Sequence, residues 1–547
     1  MKYIHLVLPC CLSLLVCYHC DAQQKQPKSF SVQDTLRGTL TAERSWWDVR
    51  YYGISVKPDF TTKTILGSTL MRFMVLNDGS DMQIDLQEPM QISAVVWKSK
   101  TLSVRRDNNV YRLRFPSVLK KGSDHSIIIS FEGKPREAVN PPWDGGWIWK
   151  KDDTGSPWMS VACQGLGASV WYPCKDHQSD EPDSASLVIV VPDSLVGVGN
   201  GRLTSRVNNS DGTTSYTWNI KNPINNYNII PYIGKYVNWT ETVNGEKGRL
   251  DCSYWVLDYN LGKAKKQFVQ VPLTIRCFEY WFGPYPFYED SYKLVESPHL
   301  GMEHQSAVAY GNKFANGYLG KDLSATGWGL KWDFIIVHES GHEWFGNNIT
   351  TKDIADMWVH EGFTAYSETL YTQCLSGKDA GNDYLVGTRR SILNDTPVQG
   401  PYGVNKEGSS DMYVKGANML HTIRSIVNND EAFRKILRGL NETYYHQTVS
   451  SQQVEAYVSK QSGLDLSPVF EQYLRHTQIP VLEYKYEGKK LSYRWVNCIK
   501  KFTMPVKINF NGEKWIKPTE LWQSVNIKSG SPDLTADRNF YIQVKKL

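Results

Sequence analysis

Between Asp333 and Phe345 the chain reads DFIIVHESGHEWF, two histidines four residues apart with a glutamate directly after the first. On a helix, His338 and His342 project from one face and both imidazoles reach the same ion. Glu339 lies about 100° further round the axis, where its carboxylate reaches a water held by that ion without taking a coordination position. HExxH therefore supplies two metal ligands and a general base. The competing reading is a core helix with backbone-satisfied histidines, since Phe334, Ile335, Ile336 and Val337 are apolar on nearly every side.

A catalytic zinc takes three protein ligands and keeps one position open. A third histidine six residues after the second, following a glycine, is one solution, but those positions hold Asn348 and Phe345. A glutamate on a following helix is the other, and Glu361 in DMWVHEGFTAYSETLY stands nineteen residues beyond His342. Gly346, Asn347 and Asn348 have the composition of a helix end, and Thr351, Lys352 and Asp353 that of a helix start. The expectation is helix, short connection, helix. His360 competes as a ligand but faces another side, and is read as supporting or structural. Glu368, two turns past Glu361 on the same side, either orients a ligand histidine through its free ring nitrogen or is a solvated carboxylate.

The stretch HESGHEWFGNNITTKDIADMWVHEGFTAYSE resembles the zinc signature of the gluzincin aminopeptidases related to aminopeptidase N and leukotriene hydrolase, HExxH followed after eighteen residues by Glu. LGMEHQSA (Leu300 to Ala307) resembles that family's GxMEN exopeptidase motif, and DMYVKG (Asp411 to Gly416) the segment with its catalytic tyrosine. CQGLGASVWYPCKD (Cys163 to Asp176) is similar to the segment where the family places a glutamine near the substrate's amino group. The four motifs follow the family order. The resemblance implies zinc on His338, His342 and Glu361, Glu339 as base and Tyr413 as oxyanion donor. It also implies a substrate-binding segment with Gly301 and Met302, in which Glu303, with Gln164, takes the α-ammonium. Read from the residues alone, Tyr413 is equally a core tyrosine opening the helix through Met419 and Ile423. The motif departs at His304, where the family has Asn.

The elements that must position these residues follow in order. Residues 1–22, with an apolar run interrupted by Pro9 and Ala22 before a polar stretch, read as a secretory signal, too short for the roughly 20 residues of a membrane span. Export, periplasmic or extracellular, is expected. The net charge of +5 over 547 residues, without a basic cluster, points to no nucleic acid, and no second apolar run points to a membrane span. Six of the ten cysteines lie beyond residue 22 and show no CxxC spacing, so they are no second metal site, and their pairing is open. From Trp47 to about Trp255, alternating Val, Ile, Tyr and Trp segments between turns read as β structure, and helical periodicity then runs to about His476. After Pro480 alternation returns. The fold class is multidomain α+β: signal 1–22, large N-terminal β domain 23–256, mainly helical thermolysin-like zinc catalytic domain 257–480, small C-terminal β domain 481–547. The longer relatives' helical C-terminal domain has no counterpart here.

The expected activity is that of a secreted zinc aminopeptidase acting on peptides with a free N-terminus, with one Zn2+ per chain. A zinc endopeptidase or epoxide hydrolase on the same scaffold is the alternative. A non-catalytic binding module would be expected to have lost a ligand or the base, and all are present.

Overall fold

The computed structural model describes residues 30–510, 512–527 and 533–547; the expected signal segment lies outside them. The N-terminal part is built on an eight-stranded sheet in the order Arg202–Asn208, Thr213–Ile220, Ser184–Pro192, Trp47–Asp59, Thr64–Val75, Asp124–Gly133, Gln91–Trp97, Lys100–Thr101. Burial alternates along these strands as a one-sided sheet requires, for example Leu187, Ile189 and Val191 inward from Ser184–Pro192. Trp47, Trp147, Trp171 and Trp218 fill the core beneath, so the aromatic richness of this part is packing.

A second hydrophobic core serves the catalytic part and the C-terminal strands together, since Leu482, Tyr484 and Trp495 pack into the same cluster as the catalytic helices. This is the α+β, large β, helical, small β order read from the chain. The expected boundary after residue 256, however, cuts a sheet. Tyr236–Gly245 and Gly248–Leu257 pair with each other, and the latter pairs in parallel with Tyr292–Glu296, which continues through Val308–Tyr310 to Gly301–Met302. Val243, Leu250, Cys252, Tyr254 and Val256 belong to the second core, while Tyr236 and Leu257 pack into the first, so this strand pair bridges the two. Alternation announces a strand but not the sheet it joins.

Six helices matter for the site: α1 (Val32–Gly38), α2 (Val271–Phe282), α3 (Phe334–Gly341), α4 (Trp358–Ser376), α5 (Lys378–Thr388) and α6 (Val414–Val427). Asp333 caps α3, its carboxylate accepting from the Ile335 and Ile336 amides. The same carboxylate accepts from Gln267 (2.7 Å), Tyr310 (2.7 Å) and Asn312 (2.7 Å), which fixes α3 against the sheet edge. α3 ends at Gly341, short of the Gly346–Asn348 end expected from composition. The reason is local: His342 Nδ1 lies 3.0 Å from the Phe345 carbonyl, which a continued helix would have used for its own ladder.

Cys277 on α2 and Cys374 near the end of α4 form a disulfide, a pairing the spacing left open, and the segment between them contains HExxH and Glu361. No helix among the described residues is long and apolar enough to cross a membrane. Replacing both Cys277 and Cys374 by Ser is expected to cost about 2–5 kcal/mol of stability, because the bridge constrains the unfolded chain. Urea unfolding of wild type and double variant, both without reductant, checks this, and equal midpoints would count against it.

Candidate metal centre and substrate cleft

α3 presents His338 and Glu339, and His342 follows at its C-cap; all three are buried. The first turn of α4 presents Glu361, whose Oε2 lies 3.7 Å from His338 Nε2 and 3.4 Å from His342 Nε2. This oxygen is buried and has no hydrogen-bond donor among the described residues. A buried carboxylate oxygen without a donor, facing two imidazole nitrogens, is costly unless a cation joins them, and two nitrogens with one carboxylate match zinc's preferred donors. The residues fit the ion.

The other ring nitrogens hold the imidazoles in place. His338 Nδ1 bonds Glu368 Oε1 at 2.8 Å, and Tyr384 on α5 donates to Glu368 Oε2 at 2.6 Å. Glu368 is therefore the orienting carboxylate of the two readings, while His360 Nε2 accepts from the Thr351 amide at 2.9 Å and is structural. A second group, Glu303, Glu339 and His342, also has its donor atoms within 4.8 Å of one another. Of the two groups, His338, His342 and Glu361 fit a metal better, because there both imidazoles are braced from behind; Glu303 and Glu339 would then be two carboxylates beside it.

Glu339 occupies space that only glycine leaves open. A Cβ on Gly301 would come within 2.5 Å of Glu339 Oε1 and 2.9 Å of Ile335 Cδ1. Burial pushes the Glu339 carboxyl up to about 7, against the pull of His338 and His342. Met302, nearly buried, lines the same wall. Glu303 is buried and accepts from Tyr227 at 3.2 Å, and its backbone carbonyl accepts from Asn347 at 2.9 Å. His304 turns away from the cleft: its Nδ1 is 2.5 Å from the Tyr232 hydroxyl, which also bonds the Ala307 carbonyl. The departure from Asn thus concerns the support of this segment.

Tyr413 stands at the N-cap of α6, its ring 6.1 Å from and nearly parallel to that of His338. A glycine contact brings it there: a Cβ on Gly416 would lie 3.0 Å from Gly362 Cα, so α4 and α6 cross with backbone nearly on backbone. Burial, with Glu361, Glu407 and Glu303 nearby, holds the Tyr413 phenol well above its usual range, so it remains a donor.

Gln164 comes from the β part and is half-buried, its Nε2 without a protein partner. The loop carrying it is fastened by residues 34–39, a segment without a recognisable motif. Arg37 of α1 donates to the Gly165 carbonyl (3.1 Å) and lies 3.5 Å from Asp176. Asn405 donates its side-chain amide to that carbonyl (3.3 Å) and its backbone amide to the Asp34 carbonyl (3.1 Å). Thr39 donates to the Gly403 carbonyl (2.8 Å). Residues 34–39 thus strap the Gln164 loop to the loop before Tyr413.

The expected metal ligands, base, substrate-binding residues and Tyr413 all line one cleft of about 850 Å3, with Glu368, Tyr384 and Glu407, which the sequence did not single out or left open. Glu407 has no local signature; only the contact between distant loops places it there.

Residues 272–473 match the Peptidase family M1 domain. Probable aminopeptidase 2 of Sulfurisphaera tokodaii is 21% identical over 417 residues, covering 72% of this chain and 51% of its own length. Leukotriene A-4 hydrolase of Xenopus laevis is 20% identical over 438 residues, covering 75% of this chain and 68% of its own. An M1 zinc metallopeptidase of Deinococcus radiodurans, in a mutant form bound to a Tyr-Ser-Ala substrate, superimposes with a TM-score of 0.69 at 20% identity, covering 82% of this chain and 99% of that one. This likeness establishes the shared fold. The chain spans about half the length of the archaeal aminopeptidase 2.

Glu368→Ala is expected to weaken zinc binding about 10–100-fold, since His338 loses its brace, while the far-UV spectrum stays the same. Competition with a chromogenic chelator measures this; unchanged affinity would reduce Glu368 to a packing role.

Proposed function

We propose that this chain, which belongs to the gluzincin aminopeptidases of peptidase family M1 through residues 272–473, is an exported zinc aminopeptidase that removes N-terminal residues from peptides. The family carries one catalytic zinc, and His338, His342 and Glu361 would hold it. When bound, zinc supplies Lewis-acid polarisation of the scissile carbonyl and lowers the pKa of the attacking water.

The observation that carries the reading is the closeness of two carboxylates. Donor atoms of Glu303, Glu339 and His342 lie within 4.8 Å of one another. In a peptide the α-ammonium is separated from the first carbonyl carbon by one atom. A carboxylate holding the ammonium beside the base therefore places the first peptide bond, and no later one, where the base acts. An endopeptidase would need the opposite, an open passage past the metal for chain on the N-terminal side.

Glu339 takes the proton of the attacking water and delivers it to the leaving nitrogen. Tyr413 donates to the oxygen that becomes negative as the carbonyl carbon turns tetrahedral, an interaction stronger in the transition state than before it. Glu303 accepts from the ammonium in a charge-assisted bond, with Tyr227 holding the carboxylate and Gln164 closing the far side. Export is supported by the signal-like composition of residues 1–22 and by the Cys277–Cys374 bridge, which suits an oxidising compartment.

Glu339→Gln is expected to lower kcat about 10²–10⁴-fold with zinc retained, because the amide keeps the shape and loses the basicity. Tyr413→Phe should lower kcat and kcat/KM together, about 10²–10³-fold. The decisive experiment compares a dipeptide arylamide with its N-acetylated form. Wild type should strongly prefer the free amine, and Glu303→Ala should narrow that preference at constant zinc content. Efficient cleavage of the blocked substrate by wild type would overturn the aminopeptidase reading.

A further inference from the structure

The lining of the cleft includes six carboxylates, Asp144, Glu303, Glu339, Glu361, Glu368 and Glu407, and neither lysine nor arginine. Five have a partner or a task. Glu361 faces the metal site, Glu368 holds His338 and Tyr384, Glu339 is the base, and Glu303 faces the ammonium. Asp144 accepts from the backbone amides of Val139 (2.6 Å) and Asn140 (2.9 Å). Glu407 makes no hydrogen bond and no ion pair with any described residue. It is only half-buried, and its nearest cationic neighbour, Lys406, is exposed.

The position of Glu407 is defined. Its Oε1 lies 3.5 Å from where a Cβ on Gly165 would stand, beside Gln164, and Gly165 puts no side chain between them. Its loop is pinned at Gly400, whose amide bonds the Ala355 carbonyl (2.8 Å), and at Gly403, whose amide bonds Asp353 (2.9 Å). The straps to Thr39 and Asp34 complete the hold. An unpaired carboxylate held rigidly on a cleft wall is preorganised for a cation that arrives with the ligand.

We propose that Glu407 reads a cationic side chain on the substrate's first residue, so that the enzyme prefers peptides beginning with arginine or lysine. The inference rests on the aminopeptidase reading and deepens it. With the ammonium between Glu303 and Gln164, the first side chain is the part of the substrate that leaves the same Cα towards the wall formed by Gln164, Gly165 and Glu407. Burial first, and then repulsion from Glu361 and Glu303, pushes the Glu407 carboxyl up to about 7, and a guanidinium or ammonium there forms charge-assisted bonds and relieves that repulsion. Arginine's planar fork suits a fixed carboxylate better than lysine's point charge.

Citrulline has arginine's shape without its charge, so the test is the ratio of kcat/KM for arginine and citrulline arylamides on the zinc-loaded chain. Wild type should favour arginine at least about tenfold, the value of one charge-assisted pair. Glu407→Gln should lower that ratio about tenfold. A wild-type ratio near one, or an unchanged ratio in the variant, overturns the proposal. An equal loss on both substrates also overturns it and assigns Glu407 to the α-ammonium instead. Should the variant not fold, inhibition of wild type by free arginine and free citrulline decides, equal inhibition constants counting against the proposal. Failure of the underlying reading looks different: neither arylamide is cleaved, or N-acetylated forms are cleaved as well as free ones.

Discussion

Glu361 holds an oxygen inside the protein with no donor to satisfy it, facing two imidazole nitrogens. Taking a carboxylate out of water is costly, and the protein makes the cost worse by placing Glu303, Glu339 and Glu407 in the same cleft. Much of the surrounding structure is arranged to make that concentration of negative charge tolerable and useful. A divalent cation on His338, His342 and Glu361 would answer part of it, Tyr384 and Tyr227 answer part through hydroxyl donors, and on the proposed function the substrate's ammonium would answer the rest. On that proposal, substrate binding completes the electrostatic balance of the cleft.

Geometry follows from that demand. The carboxylates come from four segments far apart in sequence, and each needs its own support to resist mutual repulsion. Asp333 fixes the start of α3 with a carboxylate saturated by donors. The Gly362–Gly416 crossing lets Tyr413 approach the metal side, and Gly301 leaves the volume that Glu339 fills. The glycines matter here for what they omit. A methyl group at Gly301 would press on the Glu339 carboxylate and Ile335, and one at Gly416 would press on the Gly362 backbone and push the two helices apart.

What could be read from the chain was what lies close together along it. His338, Glu339 and His342 share one helical turn, and Glu361 and Glu368 share one face of the next helix, so their spacing carries the information. The α+β order was legible because periodicity changes twice. The end of α3 was not, because glycine and asparagine mark tight turns as well as helix caps, and the local contact of His342 with the Phe345 carbonyl decided the matter. The strands Tyr236–Gly245 and Gly248–Leu257 alternate like their predecessors, yet join the catalytic core. Arg37, Asn405 and Glu407 carry no pattern, since they meet through contacts across 128 and 240 residues of chain.

The strap from Asp34 to Thr39 has a thermodynamic consequence. It bonds to the β part through Gly165 and to the catalytic part through Gly403 and Asn405, while Arg44 just beyond it is fully buried against Asp85 at 2.6 Å. Direct bonds such as Asn225 to Gly346 (2.7 Å) and Asn228 to Asn347 (2.7 Å) run beneath it. Melting either part must break these contacts, of which the Asn225 and Asn228 bonds are buried, and expose their partners in the other, so independent loss of structure carries a cost. The two separate hydrophobic cores are thus coupled through polar contacts, and a single calorimetric peak is the expected outcome.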